Sequence, residues 1–264
     1  MDLQLNDKTA LVTGSTAGIG LAIATALAGE GALVIINGRT PARVEEAIRT
    51  IRATHPKARL DALPLDLSTA EGAADAVTRF PAVDVLVNNL GIFEPKAFDD
   101  IPDADWLRFF ETNVMSGVRL SRAYLPGMRS RDWGRIVFIS SESGLHIPAE
   151  MVHYGVTKTA QIAVARGIAE TCAGTGVTCN AVLPGPTASE GVKDFVGSLA
   201  KQSGKSESDV EADFFLNVRP TSLLKRFART DEVAAMVTFI CSPLASATNG
   251  AALRVDGGVV KSPF

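Results

Sequence analysis

The stretch Thr9-Ala10-Leu11-Val12-Thr13-Gly14-Ser15-Thr16-Ala17-Gly18-Ile19-Gly20 carries a short apolar run directly into three glycines, and Leu21–Leu27 continues with helical spacing. Glycines at a strand-to-helix turn let backbone approach a pyrophosphate closely. The helix start adds free N–H groups and the positive end of its dipole. Gly14, Ser15, Thr16, Gly18, Ile19 and Gly20 are therefore candidate cofactor-binding residues. Taken alone G-x-x-x-G-x-G is a weak signal, because a tight turn with no ligand reads the same way.

Working outward, short β-branched apolar runs recur between segments of helical period. The candidate strands are Thr9–Thr13, Ala32–Asn37, Leu60–Leu65, Val83–Val87, Gly134–Ser140, Val177–Leu183 and Ala252–Val255. Several hold apolar side chains at successive positions, as strands covered on both faces require. Between them, Val44, Ala47, Ile48 and Ile51 fall at i, i+3, i+4 and i+7, one apolar stripe of a sheet-packed helix. The pattern predicts an α/β, doubly wound seven-stranded parallel sheet with helices on both faces. A chain of 264 residues accommodates this as a single domain over 1–264.

One segment breaks the alternation, the helical insertion at about 188–219. Ser206-Glu207-Ser208-Asp209 resembles a capping box, and Val210, Phe214 and Phe215 make a helical apolar edge, so two short helices are expected. Its place beyond a strand's carboxyl end suits a substrate lid. A hairpin that seals the core or meets another subunit fits the sequence equally well.

Bulk properties exclude several function classes. A net charge of −3 with no long Lys/Arg run gives no electrostatic basis for nucleic-acid binding. No stretch approaches the roughly 18 apolar residues of a membrane span, and the start lacks a signal-peptide pattern. Cys172, Cys179 and Cys241 form no C-x-x-C pair and read as free thiols in a reducing cytoplasm. With His55, His146 and His153 they make no metal-ligand constellation, so no metal is inferred. His146 follows Ser141 closely enough to line a substrate pocket, though an ordinary loop histidine is as good a reading.

Further motifs follow the glycine turn in order: Asn88-Asn89-Leu90-Gly91 after the fourth strand, Ser141 after the fifth, then Tyr154-x-x-x-Lys158. In this order the set resembles the short-chain dehydrogenase/reductase family, single-domain branch, from Leu5 to Asp256-Gly257-Gly258. The specificity lies in the combination, since Y-x-x-x-K recurs by chance. Leu90 departs from the alanine usual in N-N-A-G, and its larger side chain is expected to crowd that turn slightly.

Physical chemistry explains why the last pair matters. On a helix over Val152–Ala169, Tyr154 and Lys158 lie at i, i+4 on one face. Lowering a phenol from about 10 to about 7–8 takes about 3–4 kcal/mol. A cation about 4 Å away supplies about 4 kcal/mol at an effective dielectric of about 20. A half-buried packing tyrosine is the plain alternative.

The resemblance implies the remaining roles. Tyr154 is the proton-transfer residue, Lys158 lowers its pKa and binds the nicotinamide ribose, and Ser141, rather than Ser140, polarises the carbonyl oxygen. Asn113 corresponds to the family's helix-interrupting asparagine in the proton path. Asn89 and Gly91 are expected beside the adenine ribose, and Asp66 with Leu67 near the adenine. Pro184, Gly185, Thr187 and Ser189 belong to the loop over the carboxamide. Plain structural roles stay open for Ser141 as a cap and Asn113 as a buried hydrogen-bonding residue.

Cofactor choice turns on Asn37-Gly38-Arg39 at the end of the second strand. An acidic residue there would bind the ribose hydroxyls and repel a 2′-phosphate, whereas this chain offers a guanidinium. NADP(H) is favoured, NAD(H) remains compatible, and Arg39 as a solvated surface residue is the alternative. The expected activity is reversible hydride transfer between cofactor and a carbonyl or secondary alcohol, in the reductive direction if NADP(H) is used. The rival is a non-catalytic nucleotide-binding sensor or interaction module of the same fold. Enoyl reduction implies a different tyrosine spacing, and the epimerase branch a longer carboxyl-terminal domain. A small-molecule substrate is expected, with Phe195, Leu199, Phe214 and Phe215 open to either the substrate or the core. The resemblance further implies a homotetramer formed through helices around Val114–Tyr124 and Ile162–Ala169.

Overall fold

A computed structural model describes residues 1–263, with the side chains at 193–195, 198, 199, 202 and 203 outside the description. The sheet follows from the apolar runs. Strands β1 (Thr9–Val12), β2 (Leu33–Gly38), β3 (Arg59–Pro64), β4 (Val85–Asn88), β5 (Gly134–Ile139), β6 (Val177–Pro184) and β7 (Ala252–Val255) all pair in parallel, in the order β3-β2-β1-β4-β5-β6-β7. Each expected strand is present, its ends displaced by no more than two residues.

Alternate side chains along these runs enter different cores, which is why the runs are continuously apolar. Ala10, Val12, Val34, Ile36, Val85 and Val87 face one layer with α1 (Gly18–Gly29), α2 (Pro41–Thr54) and α9 (Thr230–Cys241). Leu11, Ile35, Leu86 and Phe138 face the other with α3 (Ala70–Arg79), α5 (Ser116–Ser130) and α6 (Val152–Glu170). Full burial of each Val, Leu or Ile side chain stabilises the fold by about 1.5–3 kcal/mol. The result is a doubly wound, Rossmann-like sheet.

The chain crosses from one side of β1 to the other after β3. The loops leaving β1 and β4 therefore diverge, opening a crevice at the carboxyl ends of the strands. Between α4 (Asp103–Phe110) and α5 the backbone widens into a five-residue π turn, Glu111–Met115, centred on Asn113.

After β6 the insertion forms α7 (Glu190–Ser203) and α8 (Glu207–Asp213), followed by a wide turn at Phe214–Val218. At fourteen residues α7 is longer than expected, ending only where Gly204 takes a left-handed φ of 66°. The capping box at the start of α8 is formed by Ser206 and Asp209. Val196, Ala200 and Val210 make a small core of their own beneath this segment. The Phe195 and Leu199 side chains lie outside the described residues.

Candidate active site

The glycine turn is held open by its neighbours. Gly14 and Gly18 adopt left-handed φ values of 61° and 56°, which favour glycine. A Cβ at Gly20 would stand 2.4 Å from the Gly14 carbonyl oxygen, so only glycine closes the turn. Asn37, buried at the end of β2, accepts the Gly14 N–H at 3.0 Å and donates to the carbonyls of Leu63 and Leu65. The Ser15 hydroxyl accepts the Asn37 N–H. From the other side, Asn89 donates to the carbonyls of Thr13 and Gly14, while Thr13 Oγ1 accepts the Asn89 and Leu90 N–H groups. Leu90 packs on the second core and does not disturb this brace.

The N-cap of α1 is Ala17, which offers no capping side chain, so among the described residues the first N–H groups of α1 have no side-chain acceptor. An uncapped helix start behind a cradle that a Cβ would fill fits the pyrophosphate of a dinucleotide. At the end of β2, Arg39 is exposed and makes no ion pair with the described residues. Asp66, also exposed, uses its carboxylate to accept from Ser68, and the Leu67 side chain is buried in the second core.

From this turn a cleft of about 960 Å³ runs along the strand ends. Ile19, Asn89, Gly91, Pro184, Gly185, Thr187 and Ser189 line it together with Ser141, Tyr154 and Lys158. Gly185 admits no larger residue there, since a Cβ would meet the Asp256 carbonyl at 2.6 Å. His146 is exposed and is not among the lining residues. Phe214 lines the cleft, whereas buried Phe215 is absent from its lining and packs edge-on with Phe227.

Helix α6 presents Tyr154 and Lys158 to the cleft. The Tyr154 ring meets Phe93 edge to face at 6.4 Å. Lys158 Nζ donates to the Ile139 carbonyl at 2.9 Å and to Gln161 Oε1 at 3.1 Å. Behind them, Asn113 Oδ1 accepts the Ile92 N–H while its amide donates to the Ile92 carbonyl and Thr157 Oγ1. Gly91 separates the two: a Cβ there would lie 3.4 Å from Asn113 Oδ1 and 3.5 Å from Lys158 Nζ. Ser140 is committed elsewhere, donating to the Lys158 carbonyl at 2.8 Å.

The electrostatics depart from the expected simple pairing. Burial, reinforced by the Glu142 carboxylate, pushes the Tyr154 phenol above its ordinary range, against smaller opposing effects of a Ser141 hydrogen bond and Arg219. Burial likewise pushes the Lys158 ammonium down to about 7, although Glu142 works against it. The expected depression of the phenol by Lys158 is therefore not realised in this arrangement. An ammonium that is itself poorly solvated is a weak source of positive charge.

Sequence reasoning missed the charged wall beside Ser141. The Ser141 hydroxyl donates to Glu142, and Arg219 links Glu142 to Glu150. No local signal marks a pair 77 residues apart. Nor does any local signal mark Asn37 as the brace of the glycine turn. Among the described residues, no group of three or more His, Cys, Asp or Glu side chains gathers to hold a metal.

Comparison with known proteins agrees with this architecture. The family model described as short chain dehydrogenase matches residues 8–198. The chain is 51% identical over 264 residues to the uncharacterized oxidoreductase YvaG of Bacillus subtilis, covering 100% of both chains. It is 36% identical to D-beta-hydroxybutyrate dehydrogenase of Cupriavidus necator, covering 97% of this chain and 99% of that one. Among solved structures it resembles L-sorbose reductase from Gluconobacter frateurii, complexed with NADPH and L-sorbose. That match has a TM-score of 0.92 and 31% identity, covering 99% of this chain and 100% of that one.

Proposed function

This chain belongs to the short chain dehydrogenase family, and from that premise we propose that it transfers a hydride between NADP(H) and a carbonyl or secondary-alcohol carbon. The observation that carries this reading is one cleft in which the Tyr154 phenol and the Ser141 hydroxyl lie beside an uncapped, glycine-led helix start.

The bound nicotinamide supplies or accepts the hydride. Gly14, Ser15, Thr16, Gly18, Ile19 and Gly20 would hold the pyrophosphate, and Arg39 the 2′-phosphate. Asp66 and Leu67 would lie toward the adenine and Asn89 and Gly91 toward its ribose, with Pro184, Gly185, Thr187 and Ser189 over the carboxamide. Tyr154 Oη gives its proton to the carbonyl oxygen in reduction and takes it back in oxidation. Ser141 donates to the same oxygen and stabilises the charge developing there. Lys158 holds the nicotinamide ribose, and Asn113 with Lys158 resupplies the proton. A phenol kept protonated at neutral pH supports the reductive direction.

The 1–264 chain acts as a single domain, with 188–219 serving as a lid over the substrate end, a reading supported by Val192, Val196, Val210 and Phe214 on the cleft wall. A homotetramer is proposed through the α5 and α6 faces. Exposed Leu107 and Phe110 on α4 and Val156 on the adjoining α6 supply apolar surface for further contact. Light scattering tests it, and a monomeric mass refutes it. Among the described residues no helix is long and apolar enough to cross a membrane. Three buried free thiols suit action in the cytoplasm. Loss of reduced-cofactor absorbance with carbonyl compounds tests the activity. No turnover of any carbonyl with NADPH or NADH would refute it.

A further inference from the structure

Buried charge stands at the substrate end of the cleft and has no part in the proton transfer just described. Glu142 and Arg219 have side chains only 6% and 8% exposed. Arg219 Nε donates to Glu142 Oε1 at 3.3 Å, and Arg219 Nη1 to Glu150 Oε1 at 3.1 Å. The other Glu142 oxygen, Oε2, accepts the Ser141 hydroxyl. Three separate segments contribute these groups: the end of β5, the turn before α6, and the last residue of the 188–219 insertion. Buried ion pairs are poor devices for stability alone, so their placement against the reacting end asks for a functional reading.

The charge balance points to the kind of ligand. Two carboxylates share one guanidinium, leaving one negative charge on this wall. Elsewhere in the cleft Lys205 is paired with Asp213, and Lys158 is bonded to Ile139 and Gln161. Among the described lining residues, Arg219 and Lys205 are paired with carboxylates, and Lys158 alone has only neutral partners, as the group that would hold the nicotinamide ribose. At the Glu142–Arg219 wall a substrate carboxylate would meet residual negative charge, the one guanidinium there being shared by two carboxylates, whereas a hydroxyl would meet carboxylate oxygens with lone pairs to spare.

The Ser141 hydrogen bond adds a catalytic consequence. While its hydroxyl donates to Glu142, its proton is not directed at a carbonyl oxygen. A hydroxyl on the carbon next to the carbonyl can replace Ser141 as donor to Glu142 Oε2. The Ser141 proton is then free to turn to the reacting oxygen. A plain ketone has no such donor, and a carboxylate can only compete as an acceptor.

We propose that Glu142, held by Arg219, forms the subsite for the chain flanking the reacting carbon, and that this subsite takes uncharged α-hydroxyketones, or vicinal diols in the reverse direction, in preference to oxo acids. The proposal rests on the hydride-transfer reading and deepens it. Glu142 specifies the substrate and positions Ser141. Atoms balance as before: the carbonyl carbon gains the hydride, its oxygen gains the Tyr154 proton, and Glu142 neither gives nor takes a proton.

The test measures kcat/KM with NADPH for hydroxyacetone and a six-carbon ketose, for acetone and 2-hexanone, and for acetoacetate and levulinate. Hydroxylated ketones are expected to exceed unsubstituted ones by about tenfold to a hundredfold, the range for a hydrogen bond to a charged group. The acids are expected to be poorest. Glu142→Gln retains an acceptor for Ser141 but no charge, and should shrink the hydroxyketone-to-acid ratio by about tenfold or more. Glu150→Gln, at a half-exposed site, should raise turnover of the acids with its melting temperature close to wild type. Preference for acidic or unsubstituted ketones in the wild type overturns the proposal, as does an unchanged ratio in folded Glu142→Gln. If Glu142→Gln does not fold, the wild-type ranking and Glu150→Gln decide. Failure to reduce any carbonyl with either cofactor strikes the hydride-transfer reading itself, whereas a preference for acids strikes only the subsite.

Discussion

Lys158 and Tyr154 stand one helical turn apart on α6, with Lys158 Nζ 5.5 Å from the centre of the Tyr154 ring, and the ammonium spends its hydrogen bonds on Ile139 and Gln161. The ammonium is buried and the phenol half-buried, and loss of solvent penalises the charged form of each. Without the cofactor, the neutral phenol is the stable form and the proton is ready to be given.

Replacing Tyr154 by Phe removes that proton while leaving the ring against Phe93. Turnover should fall by about a hundredfold to ten-thousandfold, the span of general acid–base catalysis. Cofactor affinity, followed by fluorescence titration, should stay close to wild type. Near-normal rates in this variant would exclude the mechanism.

Arg39→Ala tests cofactor choice. Removing a guanidinium from a 2′-phosphate should weaken NADP(H) by about tenfold to a hundredfold. NAD(H) affinity should hardly change. Wild-type protein that binds NAD(H) as tightly as NADP(H) would refute the assignment.

Lys158→Met should make stability respond differently to pH. The folded-state value near 7 lies below the ordinary 10.5, so between these the unfolded chain holds a proton that the folded chain has released. Folding stability of the wild type therefore rises with pH across this window, and the site's contribution levels off above it. Denaturant melts should show the wild type gaining on Lys158→Met from about pH 7 to about pH 10.5. A difference that is flat in pH would mean the ammonium is solvated.

Asn37→Ala should loosen the glycine turn. It strips the acceptor from the Gly14 N–H and the donors from the Leu63 and Leu65 carbonyls. Unpaired buried polar groups cost about 1–3 kcal/mol each, and the Leu63 carbonyl still accepts the Leu65 N–H, so the two groups left unpaired should cost about 2–6 kcal/mol in denaturant melts, along with weaker dinucleotide binding. Unchanged stability and affinity together would remove Asn37 from the role described.

Local chemistry made the sheet legible. Runs such as Leu33–Ile36 announce strands covered on both faces, glycines announce the turn, and the spacing of Tyr154 and Lys158 announces a shared helical face. What stayed hidden depends on residues brought together by the finished fold. Arg219 reaches Glu142 only because the chain after α8 returns to the end of β5. The phenol's true electrostatic setting also depended on burial and on Glu142, neither of which spacing reveals. The length of α7 was missed because Gly191 and Gly197 interrupt its pattern without ending the helix.

The brace of Asn37, Ser15, Thr13 and Asn89 around the glycine turn has a thermodynamic corollary. Its shape is set by the protein's own hydrogen bonds, so little ordering of this segment remains for a ligand to drive. Where the receptive conformation already dominates, apparent affinity pays no conformational-selection penalty. Under the proposed function, discrimination between the two nicotinamide dinucleotides then falls to what projects beyond that socket, and the side chain proposed for it on this side is Arg39.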